Sequence, residues 1–245
     1  MRFTTAAIVV ALRPHGEHGG VVRLITPEQG LQAAYVRGAK GKRTSPILIP
    51  GNRVEATLSA RTETQLPQAT VELVHSLGPM LGEPLPAAAI DWCCALTASA
   101  LPEGQPYRRL YEALDGLLAA IEAAPSAGGW GAALVRYELF LLAELGFGLD
   151  LERCAVSGDT EELIAVSPRS GRAVSAGEAE PYLGKLLPLP RFVAEGGTAS
   201  WDQILEGMAL SGHFLMRDIV TDWSSPIGDA RVRLVERMKR AAGLD

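Results

Sequence analysis

The sequence predicts an α+β, multidomain chain in which a small N-terminal β-barrel precedes an α-helical domain. Three observations carry that expectation. From Phe3 to about residue 75 every apolar run is short and β-rich, and none reaches helical length. From residue 87 onward apolar residues recur instead at helical spacing. Between the two, Gly78, Gly82, Pro79, Pro84 and Pro86 punctuate the chain as a linker would. The expected limits are 1–78 for the barrel, 79–86 for the linker and 87–245 for the helical domain, which carries a knuckle-like insertion at 152–178.

Residues 7–12 are a β-rich run that ends at Pro14, and a Gly-containing connection at 15–20 leads to a second strand at 21–26. Pro27-Glu28-Gln29-Gly30 is a turn with Pro and Gly where turn geometry favours them. A third strand covers 31–37. Pro50-Gly51 marks another turn, and strands follow at 53–58 and 69–75. Five short strands without a helix suit a Greek-key barrel of the OB kind, with an SH3-like barrel as the rival. Between the third and fourth strands runs Arg37-Gly38-Ala39-Lys40-Gly41-Lys42-Arg43-Thr44-Ser45, a flexible basic loop with four cations spaced by glycines. Glycines let a backbone approach a phosphate, and cations neutralise it. The loop is not a nucleoside-triphosphate cradle: Arg43 follows Gly41-Lys42 where Ser or Thr is needed, and Val36 replaces the first glycine.

Helices are expected at 87–101 and 107–124, the second with Leu110, Leu114, Leu117, Leu118 and Ile121 on one face. A strongly apolar helix starts at Trp130 and closes at Gly146. Cys154 then opens a segment spaced like a metal knuckle but lacking its ligands, because Ser157 stands where a second cysteine belongs and serines recur at 167–175. Cys154 reads as a small buried hydrophobe and the knuckle as metal-free. A short helix at 179–187, a long one at 200–220 capped by Ser200, and a basic amphipathic one at 231–242 complete the chain.

Composition narrows the function. With 47% hydrophobic and 21% charged residues the chain is an ordinary globular one. Its most apolar helix is broken by Arg136, Glu138 and Glu144, so no membrane span is expected. The N-terminus alternates like a strand and has no small-residue cleavage site, which argues against a signal peptide. Three cysteines, two adjacent at 93 and 94, make no disulfide framework and point to a reducing cytoplasm. The net charge of −5 conceals an asymmetry: residues 1–80 hold nine Lys/Arg against five acids, so the excess acid lies beyond them. A basic barrel on an acidic body fits a polyanion-binding module. His15, Glu17 and His18 sit on an exposed hairpin, and the serine-hydrolase elbow, zinc-protease helix and dinucleotide fingerprint are all missing. No catalytic residue, cofactor or metal ligand is expected. The anion-binding candidates are Arg37, Lys40, Lys42 and Arg43, then Arg2, Arg13 and Arg23. The same features also fit a scaffold whose barrel docks an acidic protein partner without touching nucleic acid.

Several motifs together resemble the RecO family of bacterial recombinational-repair proteins. They are Leu24-Ile25-Thr26-Pro27-Glu28-Gln29-Gly30, Arg37-Gly38-Ala39-Lys40, Arg136-Tyr137-Glu138-Leu139 through Leu145-Gly146-Phe147-Gly148, and Cys154 with Ser157-Gly158. Val166-Ser167-Pro168 with Ser170-Gly171, and Phe214-Leu215-Met216-Arg217, extend the likeness over nearly the whole chain in order. The resemblance implies an OB-fold, a helical domain with a zinc-finger-like insertion, and binding of single- and double-stranded DNA. It further implies a recombination mediator of the RecF-type pathway that anneals strands and, with RecR, helps load RecA on DNA coated by the single-stranded-DNA-binding protein. Location in the cytoplasm, with nucleoid association during repair, follows from that role. Many members of the family carry a four-cysteine zinc site. Only Cys154 remains here, so zinc is not carried over.

Overall fold

The computed structural model describes residues 2–62, 65–124, 126–220 and 226–244. Its first five strands are β1 (Arg2–His15), β2 (Gly19–Thr26), β3 (Gly30–Val36), β4 (Arg53–Ser59) and β5 (Gln68–His75). They close into a barrel in the order β1-β2-β3-β5-β4. All neighbours are antiparallel except β3 and β5, which meet in parallel at Tyr35 and Gln68. Closure removes the free sheet edges that would otherwise template aggregation. β1 is longer than the run at 7–12 announces because it serves two partners. Its first half pairs with β4 and its second with β2, and a bulge between Val9 and Ala11 bends it from one to the other. Val9, Val22, Leu24, Ala34, Val54, Ala56, Leu58 and Val71 fill the interior. Along β4 and β5 they alternate with outward polar residues, as a one-sided sheet requires.

Helices α1 (Pro84–Ala100) and α2 (Arg108–Ala123) belong to the same compact unit as the barrel, Met1–Ala123. Pro84 and Pro86 lie in the first turn of α1, where proline loses no intrahelical hydrogen bond, so the run expected as a linker is largely a single 3-10 turn and a helix start. Trp92, Cys93 and Cys94 on α1 are fully buried. The α1–α2 connection docks on the barrel, where Gly104 donates to the Leu31 carbonyl at 2.9 Å. Arg53 ties β4 to α2 through the Asp115 carboxylate and carbonyl.

The second unit, Ala124–Asp245, is built on α3 (Ala127–Glu144) and α6 (Trp201–Asp218). They approach closely at glycines: a Cβ on Gly131 would lie 2.9 Å from Ile204, and one on Gly207 3.0 Å from Val135. Ser200 and Gln203 form the reciprocal capping box that starts α6. The insertion holds a three-stranded sheet, β7-β6-β8, of β6 (Leu163–Val166), β7 (Ala173–Ser175) and β8 (Leu187–Pro188). Short helices α4 (Ala176–Ala179) and α5 (Arg191–Ala194) flank β8. Among the described residues no helix is long and apolar enough to cross a membrane. The last helix, α7 (Pro226–Ala241), turns a buried Arg231 toward α3 and α6, where it meets Glu138 at 3.0 Å and the Met208 carbonyl at 2.8 Å.

Candidate nucleic-acid interface

The basic loop leaves β3 at Arg37 and returns to β4 through residues 38–52. It is a chain of tight turns closed by backbone hydrogen bonds, from Gly41 to Gly38, Thr44 to Gly41 and Leu48 to Thr44, and not the flexible loop its glycines predict. Two residues anchor it: Ala39 and Leu48 insert into the barrel core and are about 1% exposed. Asn52 fixes its far end. This fully buried amide donates to the Pro46 and Ile47 carbonyls at 2.9 and 3.1 Å and accepts from the Leu77 N–H at 2.8 Å. The loop's cations therefore stand on a rigid mount, which lowers the ordering cost of binding an anion.

The seven candidate cations separate into different settings. Arg37 and Arg43 come together on a cleft of about 380 Å³ between β3 and β5, with Tyr35, Thr44, Gln68 and Thr70. Lys42 is exposed on the adjoining turn. Lys40 reaches back to the β1–β2 hairpin and donates to the Gly16 carbonyl at 2.9 Å, so it braces the loop as well as charging it. Arg2 and Arg13 are exposed near the two ends of β1. Arg23 is placed elsewhere: its guanidinium caps the C-terminal end of α1 at the Ala98 carbonyl and pairs with Glu103 at 2.9 Å. That contact explains Arg23 as a strut between barrel and helix.

Ion pairing draws the same line. Arg23, Arg53 and Arg108 meet Glu103, Asp115 and Glu28. Among the described residues no ion pair engages Arg2, Arg13, Arg37, Lys42 or Arg43. Cations without a carboxylate keep their field for an incoming anion. A smaller cavity of about 270 Å³ beside β4 carries Arg61 with Ser59, Gln65 and Gln68, whereas two others are electrostatically wrong for phosphate. One of about 320 Å³ carries Glu28 with Gln29, Gln32 and Phe3 and no cation. One of about 640 Å³ in the insertion is lined by Asp159, Glu161, Glu162 and Glu178.

Sequence reasoning passed over Gln68, Thr70 and Thr44 because a neutral polar residue on a strand carries no signal until its register is known. Tyr35 is, with Phe3, one of two Phe, Tyr or Trp residues in 1–78. Its ring lies against Gly19, where a Cβ would come within 2.2 Å of the hydroxyl, and it meets His15 edge-on at 6.0 Å.

The knuckle does not fit a structural zinc ion. The Cys154 sulfur accepts from both the backbone N–H and the hydroxyl of Ser175 at 3.3 Å. Burial pushes this thiol up, but hydrogen bonds from Ser157 and Ser175 pull it down further, to about 6. One thiol with two hydroxyls lacks the Cys/His donor set that zinc requires. Among the described residues no three His, Cys, Asp or Glu side chains gather at metal-binding spacing. His15 and His18 are exposed beside Glu17.

Two family models match the chain: "Recombination protein O N terminal" over residues 1–77 and "Recombination protein O C terminal" over residues 84–220. Proteins named DNA repair protein RecO resemble it from end to end. That of Phenylobacterium zucineum is 41% identical, with 100% of both chains covered. That of Rhodospirillum centenum is 39% identical over 98% of this chain and 96% of its own. That of Caulobacter vibrioides strain NA1000 is 40% identical over 98% and 99%. With a five-stranded N-terminal sheet, a helical remainder and full-length likeness of this kind, the chain belongs to the RecO family.

Proposed function

We propose that this protein is a non-enzymatic, DNA-binding recombination mediator whose OB-like barrel holds phosphates through Arg37, Lys40, Lys42 and Arg43. The observation that carries the reading is the set of loop cations beside the Arg37–Arg43 cleft that, among the described residues, meet no carboxylate, in a chain of this family. A barrel of this kind anneals complementary strands by screening their phosphates while leaving bases exposed. With RecR it promotes loading of RecA onto single strands covered by the single-stranded-DNA-binding protein, in the cytoplasm and at the nucleoid during repair. The insertion is a zinc-finger-like knuckle that folds without metal, its turns held by the serine hydrogen bonds to Cys154. The working division remains a barrel at 1–78 and a helical part from 87 onward.

The test is a gel-shift titration with short single-stranded and duplex DNA, followed by annealing with and without the single-stranded-DNA-binding protein. Charge reversal at Lys40, Lys42 and Arg43 removes three phosphate contacts and lowers the salt slope for single strands by about 2, at ~0.7 per contact. Unchanged DNA affinity of that variant at low salt overturns the loop assignment. Capture of an acidic protein by a barrel that shifts no DNA favours the scaffold reading instead.

A further inference from the structure

The cavity of about 320 Å³ that repels phosphate is built to accept hydrogen bonds. Its lining comes from β1, β3, the β2–β3 turn, the β4–β5 connection and the α1–α2 connection. Phe3 forms part of the wall, in register opposite Leu58, which is buried in the barrel core. Gly104 lines it too and is pinned there by donating its N–H to the Leu31 carbonyl at 2.9 Å. Gln32 spends both amide hydrogens on the Gln29 and Leu31 carbonyls, at 2.7 and 3.2 Å, so only its oxygen remains to meet a ligand. Glu28 gives one carboxylate oxygen to Arg108 at 3.0 Å, and among the described residues its other oxygen has no partner. The adjoining cavity of about 270 Å³ shares Ser59, Ala60 and Gln65 with it and adds Arg61 and Leu66. Leu66 is 46% exposed.

We infer that this cavity is a docking pocket for an arginine side chain of a partner protein. A guanidinium has only N–H donors and no acceptor, the converse of a wall that offers a carboxylate oxygen and an amide oxygen. Its positive charge suits the face of the Phe3 ring, and its planar fork engages two acceptors at once. The pinned connection and the barrel strands hold these groups in place beforehand, which lowers the cost of binding. The source of the guanidinium follows from the rim. Glu28, Ser59, Thr62, Gln65 and Gly104 are all exposed, and the volume is near the lower limit for a small-molecule site. A free ligand would keep much of its surface in water, whereas a side chain projecting from a second protein surface brings its own cover. The adjoining cavity extends that contact with an apolar side chain, Leu66, and a cation, Arg61. The partner segment therefore carries an arginine with an acidic residue close by. This site goes beyond phosphate binding and uses none of the cations assigned to it.

The experiment uses the full chain, isotopically labelled, and follows the side-chain amide signals of Gln29, Gln32 and Gln65 by NMR. The probe is the blocked peptide acetyl-Gly-Arg-Glu-Gly-amide at millimolar concentration. Beside it stands the same peptide with citrulline, which keeps the shape of arginine without its charge. The arginine peptide shifts these signals saturably, and the citrulline peptide binds on the order of tenfold more weakly. Glu28→Gln weakens the arginine peptide by a similar factor, on the order of tenfold, and Phe3→Leu by about threefold. Glu112→Gln removes an acid that also holds Arg108 but does not line the cavity, and it leaves binding unchanged. The citrulline comparison needs no variant, so it decides the matter even where Phe3→Leu fails to fold. Equal affinity for the two peptides, no shift of the three glutamine amides, or an equal loss from Glu112→Gln overturns the pocket. Free L-arginine binding as tightly as the peptide would make it a small-molecule site, and thymidine moving the same signals would make it a base pocket. Either result overturns the partner assignment.

Discussion

At the residue scale, Gly30 shows how one position answers two demands. It sits at φ +65°, and a Cβ there would lie 1.8 Å from the Gln105 carbonyl oxygen, which is backbone and cannot swing aside. Gly30→Ala combines left-handed strain of about 1–2 kcal/mol with displacement of the α1–α2 connection, for an expected loss of more than ~3 kcal/mol in urea unfolding. A loss under about 1 kcal/mol would mean that the connection is not docked on this turn. Half of this was legible in the sequence: Pro27-Glu28-Gln29-Gly30 reads as a turn that wants glycine. The other half depends on a partner some seventy-five residues away, which no local pattern encodes. Arg13 and Arg23 make the same point. They look alike in sequence, yet one is exposed and the other ties α1 to the barrel, because register and helix packing assign the faces.

Individual elements were announced mainly by their ends and their periodicity. Ser200 marks the start of α6, where the structure adds Gln203 as the other half of a capping box, and Gly146 at φ +89° closes the turn that follows α3. The strands of the insertion went unseen because β6 and β7 are four and three residues long, too short to show alternation. α7 illustrates what polarity hides. Its sequence is a basic amphipathic helix, but Arg231 is 6% exposed and joins Glu138, which is fully buried, and Ser211. A buried pair contributes little net stability compared with a good apolar substitute, while breaking one side strands the other charge. Arg231→Met is therefore expected to lower stability by about 3–5 kcal/mol, and Glu138→Leu added to it to recover most of that loss. Thermal melts of the two variants check this; a neutral Arg231→Met would show that the pair does not hold α7.

For the molecule as a whole, the question is how a chain of net charge −5 binds a polyanion. Net charge governs approach from beyond the screening length, roughly 10 Å at 0.1 M salt, whereas affinity is set by the cations that touch phosphate. The sequence disclosed the first part as an excess of cations in residues 1–80. It could not disclose that Arg23 and Arg53 are neutralised at the helices, whereas among the described residues no ion pair engages Arg2, Arg13, Arg37, Lys40, Lys42 or Arg43. That sorting gives a number to measure. Six phosphate contacts on a single strand predict a slope of log affinity against log salt near −4.2, at ~0.7 per contact. Removing Arg2 and Arg13 should bring it to about −2.8, and reversing Lys40, Lys42 and Arg43 should bring it to about −2.1. Titrations between 50 and 200 mM salt measure all three slopes. A single-strand slope unchanged by the loss of Arg2 and Arg13 would place the phosphate contacts on the loop alone, since released counterions count contacts whatever the affinity.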